Sequence, residues 1–109
     1  MGVKEMPLFM IEKEYFDLIQ KGEKDVELRK VNGPWKNAQK GDEAIIMCGS
    51  KAMMRKKIKE VYKGSLQEIY SKIDYHRIFP NAKNMGDAIR KTRKIYPKEE
   101  EFTAFVLCP

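Results

Sequence analysis

The stretch KGEKDVELRK, residues 21–30, decides how the rest of the chain is read. It opens as a helix exit at Gly22 and continues as a strand, where Val26 and Leu28 alternate with charged residues at the period of two. Asp25, Glu27 and Arg29 then share the opposite face. Charges on such a face have two readings. Either they are a solvated surface whose ion pairs contribute ~0–1 kcal/mol, or they line a polar groove. In a regular strand Lys24 and Glu27 point to opposite faces. They converge only if Lys24 belongs to the turn after a left-handed Gly22.

Working outward, PLFMI at 7–11 reads as a first strand, and EKEYFDLIQKG as a helix with Tyr15, Phe16 and Ile19 on one face. VNGPWKNAQKGD is a long loop broken by Asn32-Gly33-Pro34 and Gly41-Asp42. EAIIM at 43–47 is an apolar strand that turns at Gly49-Ser50. The next segment, KAMMRKKIKEVY, alternates: Ala52, Met54 and Ile58 point one way, Arg55, Lys57 and Lys59 the other. Val61 falls on the charged side, which predicts a bulge near Glu60. SLQE at 65–68 is a capping box opening a short helix. DYHRIFP holds a helical turn, stopped by Pro80. Asn84 caps a last helix whose apolar stripe is Met85, Ala88, Ile89, Thr92, Ile95 and Tyr96, and EFTAFVLCP is the closing strand. Strands with short interspersed helices, without regular alternation, predict an α+β mixed β pseudo-barrel with short flanking helices.

The chain has 109 residues, 42% of them apolar and 35% charged, which is enough for one domain with a heavily charged surface. Its formal charge of +6 favours a polyanionic partner, nucleic acid first. No apolar run is long enough to span a bilayer, and MGVKEMPLFM lacks the apolar core and cleavage site of a secretory leader. A cytoplasmic monomer, with no membrane association, is the expectation. Cys48 and Cys108 stand in apolar runs and read as buried free thiols. Two Cys and the single His76, read as a packing or surface residue, do not make a tetrahedral zinc site. No metal and no cofactor are expected.

EYFDLIQKGEKDVELR resembles the ASCH family, small relatives of the PUA domain, in which a helix is followed by Gly-x-Lys-x-x-Glu-x-Arg. Gly22, Lys24, Glu27 and Arg29 occupy those positions. KGD at 40–42 before an apolar strand and IYPKEEEFTAFVL at 95–107 match in the same order. The resemblance implies a PUA-like pseudo-barrel with a groove between barrel and helices. It implies that residues 24–29 form a strand beside the one at 43–47. It also implies binding of RNA or of a nucleotide. One branch of the family resembles hydrolases of acetylcytidine, and other members have been proposed as ribonucleases. In the hydrolase branch two Thr stand where this chain has Asp25 and Glu27, and a Glu precedes the last helix near the place of Lys83.

Lys24, Glu27 and Arg29 are therefore the leading binding candidates. Arg29 offers a planar fork for phosphate or a base edge, and Glu27 fixes that fork or accepts protons from a base. Any acid–base chemistry would fall on Lys24 and Glu27, since no Ser-His-Asp order is present. A lysine beside carboxylates is expected to keep its charge. Trp35 either stacks on a base or pins its loop. Two basic patches, Arg55, Lys57 and Lys59 on a strand and Arg90, Arg93 and Lys94 on the last helix, are phosphate contacts or plain surface. Tyr96 either lends its hydroxyl to the groove or completes the core.

Overall fold

The computed structural model describes residues 6–109; residues 1–5, on which part of the reading against a leader rests, lie outside the described residues. In chain order the elements are β1 (Leu8–Met10), α1 (Lys13–Gln20), β2 (Val26–Lys30), β3 (Glu43–Cys48) and β4 (Ala52–Gly64). They continue with α2 (Leu66–Lys72), a single 3-10 turn (Tyr75–Arg77), α3 (Met85–Ile95) and β5 (Phe102–Leu107).

Local chemistry sets most of these boundaries. Ser65 and Glu68 form both halves of the capping box that starts α2. The Asn84 side chain accepts from Asp87 N–H at the start of α3, and Asp74 caps the 3-10 turn by accepting from His76 N–H. Gly22 has φ +82°, the left-handed exit that the sequence calls for after α1. The ladder between β4 and β5 slips between Ile58 and Glu60, which lets a half-buried Val61 pack against the inner core.

The five strands form one sheet in the order β1-β3-β4-β5-β2, with β1 parallel to β3 and the remaining pairs antiparallel. That sheet is strongly curled. β1 and β5 are three strand spacings apart, about 14 Å in a flat sheet. Yet the rings of Phe9 on β1 and Phe105 on β5 lie 5.1 Å apart. Curling leaves two cores. Val26, Leu28, Phe102, Ala104 and Val106 pack outward on α2, the 3-10 turn and α3. Phe9, Ala44, Ile46, Ile58, Phe105 and Leu107 close the concave side with Phe16 and Ile19 of α1.

Three sequence expectations need correction. Residues 24–29 do not neighbour the strand at 43–47: β2 pairs with β5, Glu27 opposite Phe105 and Arg29 opposite Thr103, and it ends the sheet. The closing strand, last in sequence, inserts between β4 and β2, and such non-local pairing leaves no local signal. Cys48 and Cys108 are free but only half-buried, because each sits at a strand end. The apolar stripe of α3 is narrower than its periodicity promises. Ala88 and Thr92 are buried, whereas Met85, Ile89 and Ile95 are exposed, since a helix lying on a curved sheet touches it along a thin line.

Candidate functional site

The polar face of β2 is the concave face of the sheet, and it is dry. Side-chain exposure is 3% for Lys24, 10% for Glu27 and 12% for Arg29. The reading of these charges as a solvated ion-pair surface is thereby excluded. Burying an ion costs several kcal/mol unless hydrogen bonds replace its water, so the contacts of each group matter.

Lys24 stands between Gly22 and β2, in the turn rather than the ladder, which is the placement required for it to meet Glu27. The N–H groups of both Glu23 and Lys24 fold back onto Leu18 C=O of α1, at 2.9 and 3.1 Å. From there the ammonium enters the core and donates to Val26 C=O and Ile78 C=O, both at 2.6 Å. It also lies 3.2 Å from Glu27 Oε1. Burial pushes this amine below its ordinary value, against the expectation that neighbouring carboxylates preserve it, while Glu27 opposes the shift. Three acceptors at bonding distance need three protons, which the ammonium alone carries. We read Lys24 as charged, with the rings of Tyr15 and Phe79 at 5.6 and 5.8 Å adding cation–π attraction.

Glu27 and Arg29 complete the chain of charges. Burial pushes the Glu27 carboxyl upward, but Lys24 and Arg29 together hold it below its ordinary range, so it stays ionised. Arg29 Nε donates to Glu27 Oε2 at 2.8 Å, and Arg29 Nη2 lies 2.6 Å from the same oxygen. The same Nη2 reaches across to Met10 C=O of β1 at 2.9 Å. Met10 and Arg29 belong to the two edge strands, so this bond ties the sheet's free edges together where a closed barrel would have a ladder. The unbroken run from Met10 C=O through Arg29, Glu27 and Lys24 to Ile78 C=O forms the floor of a pocket of ≈ 200 Å³. Its walls include Ile11, Tyr15, Leu28, Phe79, Ile95 and Tyr96. Burial pushes the hydroxyls of Tyr15 and Tyr96 above their ordinary values.

Other candidates lie elsewhere. Asp25 does not join Glu27; it forms a bidentate pair with Arg77 at 2.9 and 2.8 Å. Tyr96 lines the pocket and packs edge-on against Phe102. Trp35 pins its loop: Nε1 donates to Lys30 C=O at 2.7 Å, and the Arg29 guanidinium lies 4.8 Å from the indole. Arg55, Lys57, Lys59, Arg90 and Lys94 are exposed and line no part of this pocket. Arg93 is also exposed, and it is spent on the C=O groups of Tyr96 and Glu99. Lys83 and His76 are exposed as well. Among the described residues no group of three or more His, Cys, Asp or Glu side chains could hold a metal ion. No helix among them is long and apolar enough to cross a membrane.

Met10, Glu12, Tyr15 and Ile95 at the pocket were not candidates from sequence. Ile95 stands in the sequence as part of the apolar stripe of α3, which gives no sign that it reaches the pocket.

Comparison with known proteins agrees with the fold described above. The ASCH domain model matches residues 9–107. The hypothetical protein PH0355 superposes with a TM-score of 0.82 at 23% identity, over 96% of this chain and 99% of that one. PF0455 from Pyrococcus furiosus gives 0.73 at 20%, over 96% and 97%. A mutant of ZmASCH from Zymomonas mobilis gives 0.74 at 16%, over 97% and 70%. These likenesses concern the fold. No curated protein matches the sequence.

Proposed function

Because this chain belongs to the ASCH domain family, we propose that it binds single-stranded RNA or a nucleotide, with one base in the pocket beside α1. The observation that carries the reading is the floor of that pocket, an ionised carboxylate and a guanidinium side by side beneath aromatic and aliphatic walls. Such a pair offers an acceptor and a donor to one hydrogen-bonding edge, while flat apolar walls suit a base. A pocket of ≈ 200 Å³ lies below the roughly 300–1,000 Å³ of sites for larger ligands, which favours a single base-sized group. The exposed patches Arg55, Lys57, Lys59 and Arg90, Lys94 supply sequence-blind attraction for phosphates.

A second reading, hydrolysis of a modified nucleoside such as acetylcytidine or of RNA, rests on Lys24 and Glu27 lining the same pocket. It is the weaker one. The three protons of Lys24 are engaged by protein acceptors, and Glu27 is held by two cations. Neither group is free to exchange a proton with substrate.

The test is an NMR titration with nucleoside monophosphates and a short single-stranded RNA at several ionic strengths. Shifts at Tyr15, Ile95 and Tyr96 are expected, with log affinity for RNA falling linearly with log salt. Ile95→Glu, at a position 58% exposed on the pocket rim, should weaken binding without lowering Tm. Absence of binding at low salt would remove the reading, and turnover of acetylcytidine by wild type would favour the hydrolase.

A further inference from the structure

On one side the pocket ends at a wall one side chain thick. Arg29, held to Met10 C=O, forms that wall, and beyond it lies a second depression of ≈ 550 Å³. Met10 and Arg29 line both. The far depression adds Leu8, Pro34, Trp35 and Asn37.

Its features are preformed. The indole is anchored through Nε1 to Lys30 C=O and lies so close over Gly33 that a Cβ there would collide with Cζ2. Leu8 and Met10 are 44% and 50% exposed, an apolar margin on a chain rich in charge. The dividing guanidinium spends Nε and Nη2 on Glu27 and Met10, and its Nη1 has no hydrogen-bond partner among the described residues. The order along the groove is a pocket with apolar walls over a charged floor, a cation with N–H groups to spare, and a second, mostly apolar depression. A nucleic-acid strand repeats base, phosphate, base.

We propose that the second depression is a subsite for the nucleotide adjacent to the one in the first pocket, with the linking phosphate on Arg29 Nη1. This rests on the reading that the first pocket takes a base. Arg29 already covers the indole, so the second base is held by Leu8, Pro34 and the uncovered part of Trp35, with the Asn37 amide available to its edge. With Arg29 given to the phosphate, the contacts left for the base are mostly apolar, which makes this subsite tolerant of base identity. The unit recognised is then a dinucleotide, selective at one position and permissive at the next.

Calorimetric titrations would compare each ribonucleoside 5′-monophosphate with its homodinucleoside monophosphate, such as uridine 5′-monophosphate against uridylyl-uridine. The dinucleotide carries less charge, so tighter binding cannot come from phosphate attraction alone. Trp35 is the only tryptophan of the chain and reports its own depression by fluorescence. The dinucleotide should bind about tenfold more tightly or better and change Trp35 emission. Leu8→Gln, which alters the second depression alone, should abolish that gain and leave monophosphate affinity unchanged. Equal affinity of the two ligands, or a gain that survives Leu8→Gln, would overturn the proposal while the one-base reading stands. Failure of both ligands to bind would overturn both readings.

Discussion

Replacing Lys24 by methionine keeps the length of the side chain and removes its charge and its three protons. In the folded protein Val26 C=O and Ile78 C=O then lose their donor in a buried place, at roughly 1–3 kcal/mol each. Glu27 keeps Arg29 but loses its second cation, and removing one partner of a buried pair costs about 3–5 kcal/mol on its own. Against these stands the recovered desolvation of the ammonium, several kcal/mol. The net expectation for Lys24→Met is a loss of ~3–5 kcal/mol. Domains of this size hold roughly 5–15 kcal/mol in all, and each kilocalorie moves Tm by about 4–8 °C. A fall of ~12–40 °C in Tm is therefore expected by calorimetry, with urea unfolding giving the free energy. The double variant Lys24→Met, Glu27→Leu removes both charges and should recover part of the loss, because apolar replacements of a buried pair are often tolerated. A change below ~1 kcal/mol for the single variant would refute the reasoning, since it would mean that neither carbonyl depends on this amine.

Three further outcomes follow from the same geometry. The folded carboxyl of Glu27 titrates below its ordinary 4.5, so its contribution is present above that value and is lost as pH falls through the folded pKa. Tm measured from pH 6 downward should fall more steeply below 4.5 for wild type than for Glu27→Gln, and the gap between them should narrow. Gly33→Ala places a methyl in the indole; displacement of Trp35 from Lys30 C=O should cost ~1–3 kcal/mol and shift its emission to the red, and an unchanged spectrum would contradict the contact. Tyr70 and Thr92 share a buried hydrogen bond of 3.1 Å, so Thr92→Val should lose about 1 kcal/mol in urea unfolding, whereas no loss would show that the hydroxyl finds another partner.

What the sequence determined by itself was local or patterned. The capping box at Ser65, the cap at Asn84, the left-handed Gly22 and the bulge beside Glu60 each depend on residues within a few positions, and each is where the sequence puts it. The order of the helix-exit motif, KGD and the closing strand pointed to the family and so to the curled sheet. Alternation likewise told that Val26 and Leu28 share a face and that Glu27 and Arg29 share the other. It could not tell that the second face is dry, because period two distinguishes faces and not what covers them. Tertiary structure decided that. β5 enters between β4 and β2, the curl brings Met10 within reach of Arg29, and the 3-10 turn delivers Ile78 C=O to Lys24 from 54 positions away. Met10, Glu12 and Ile95 were illegible as pocket residues for the same reason: what they line depends on contacts between edges that are far apart in the chain, and pairing across such distances leaves no trace in local spacing.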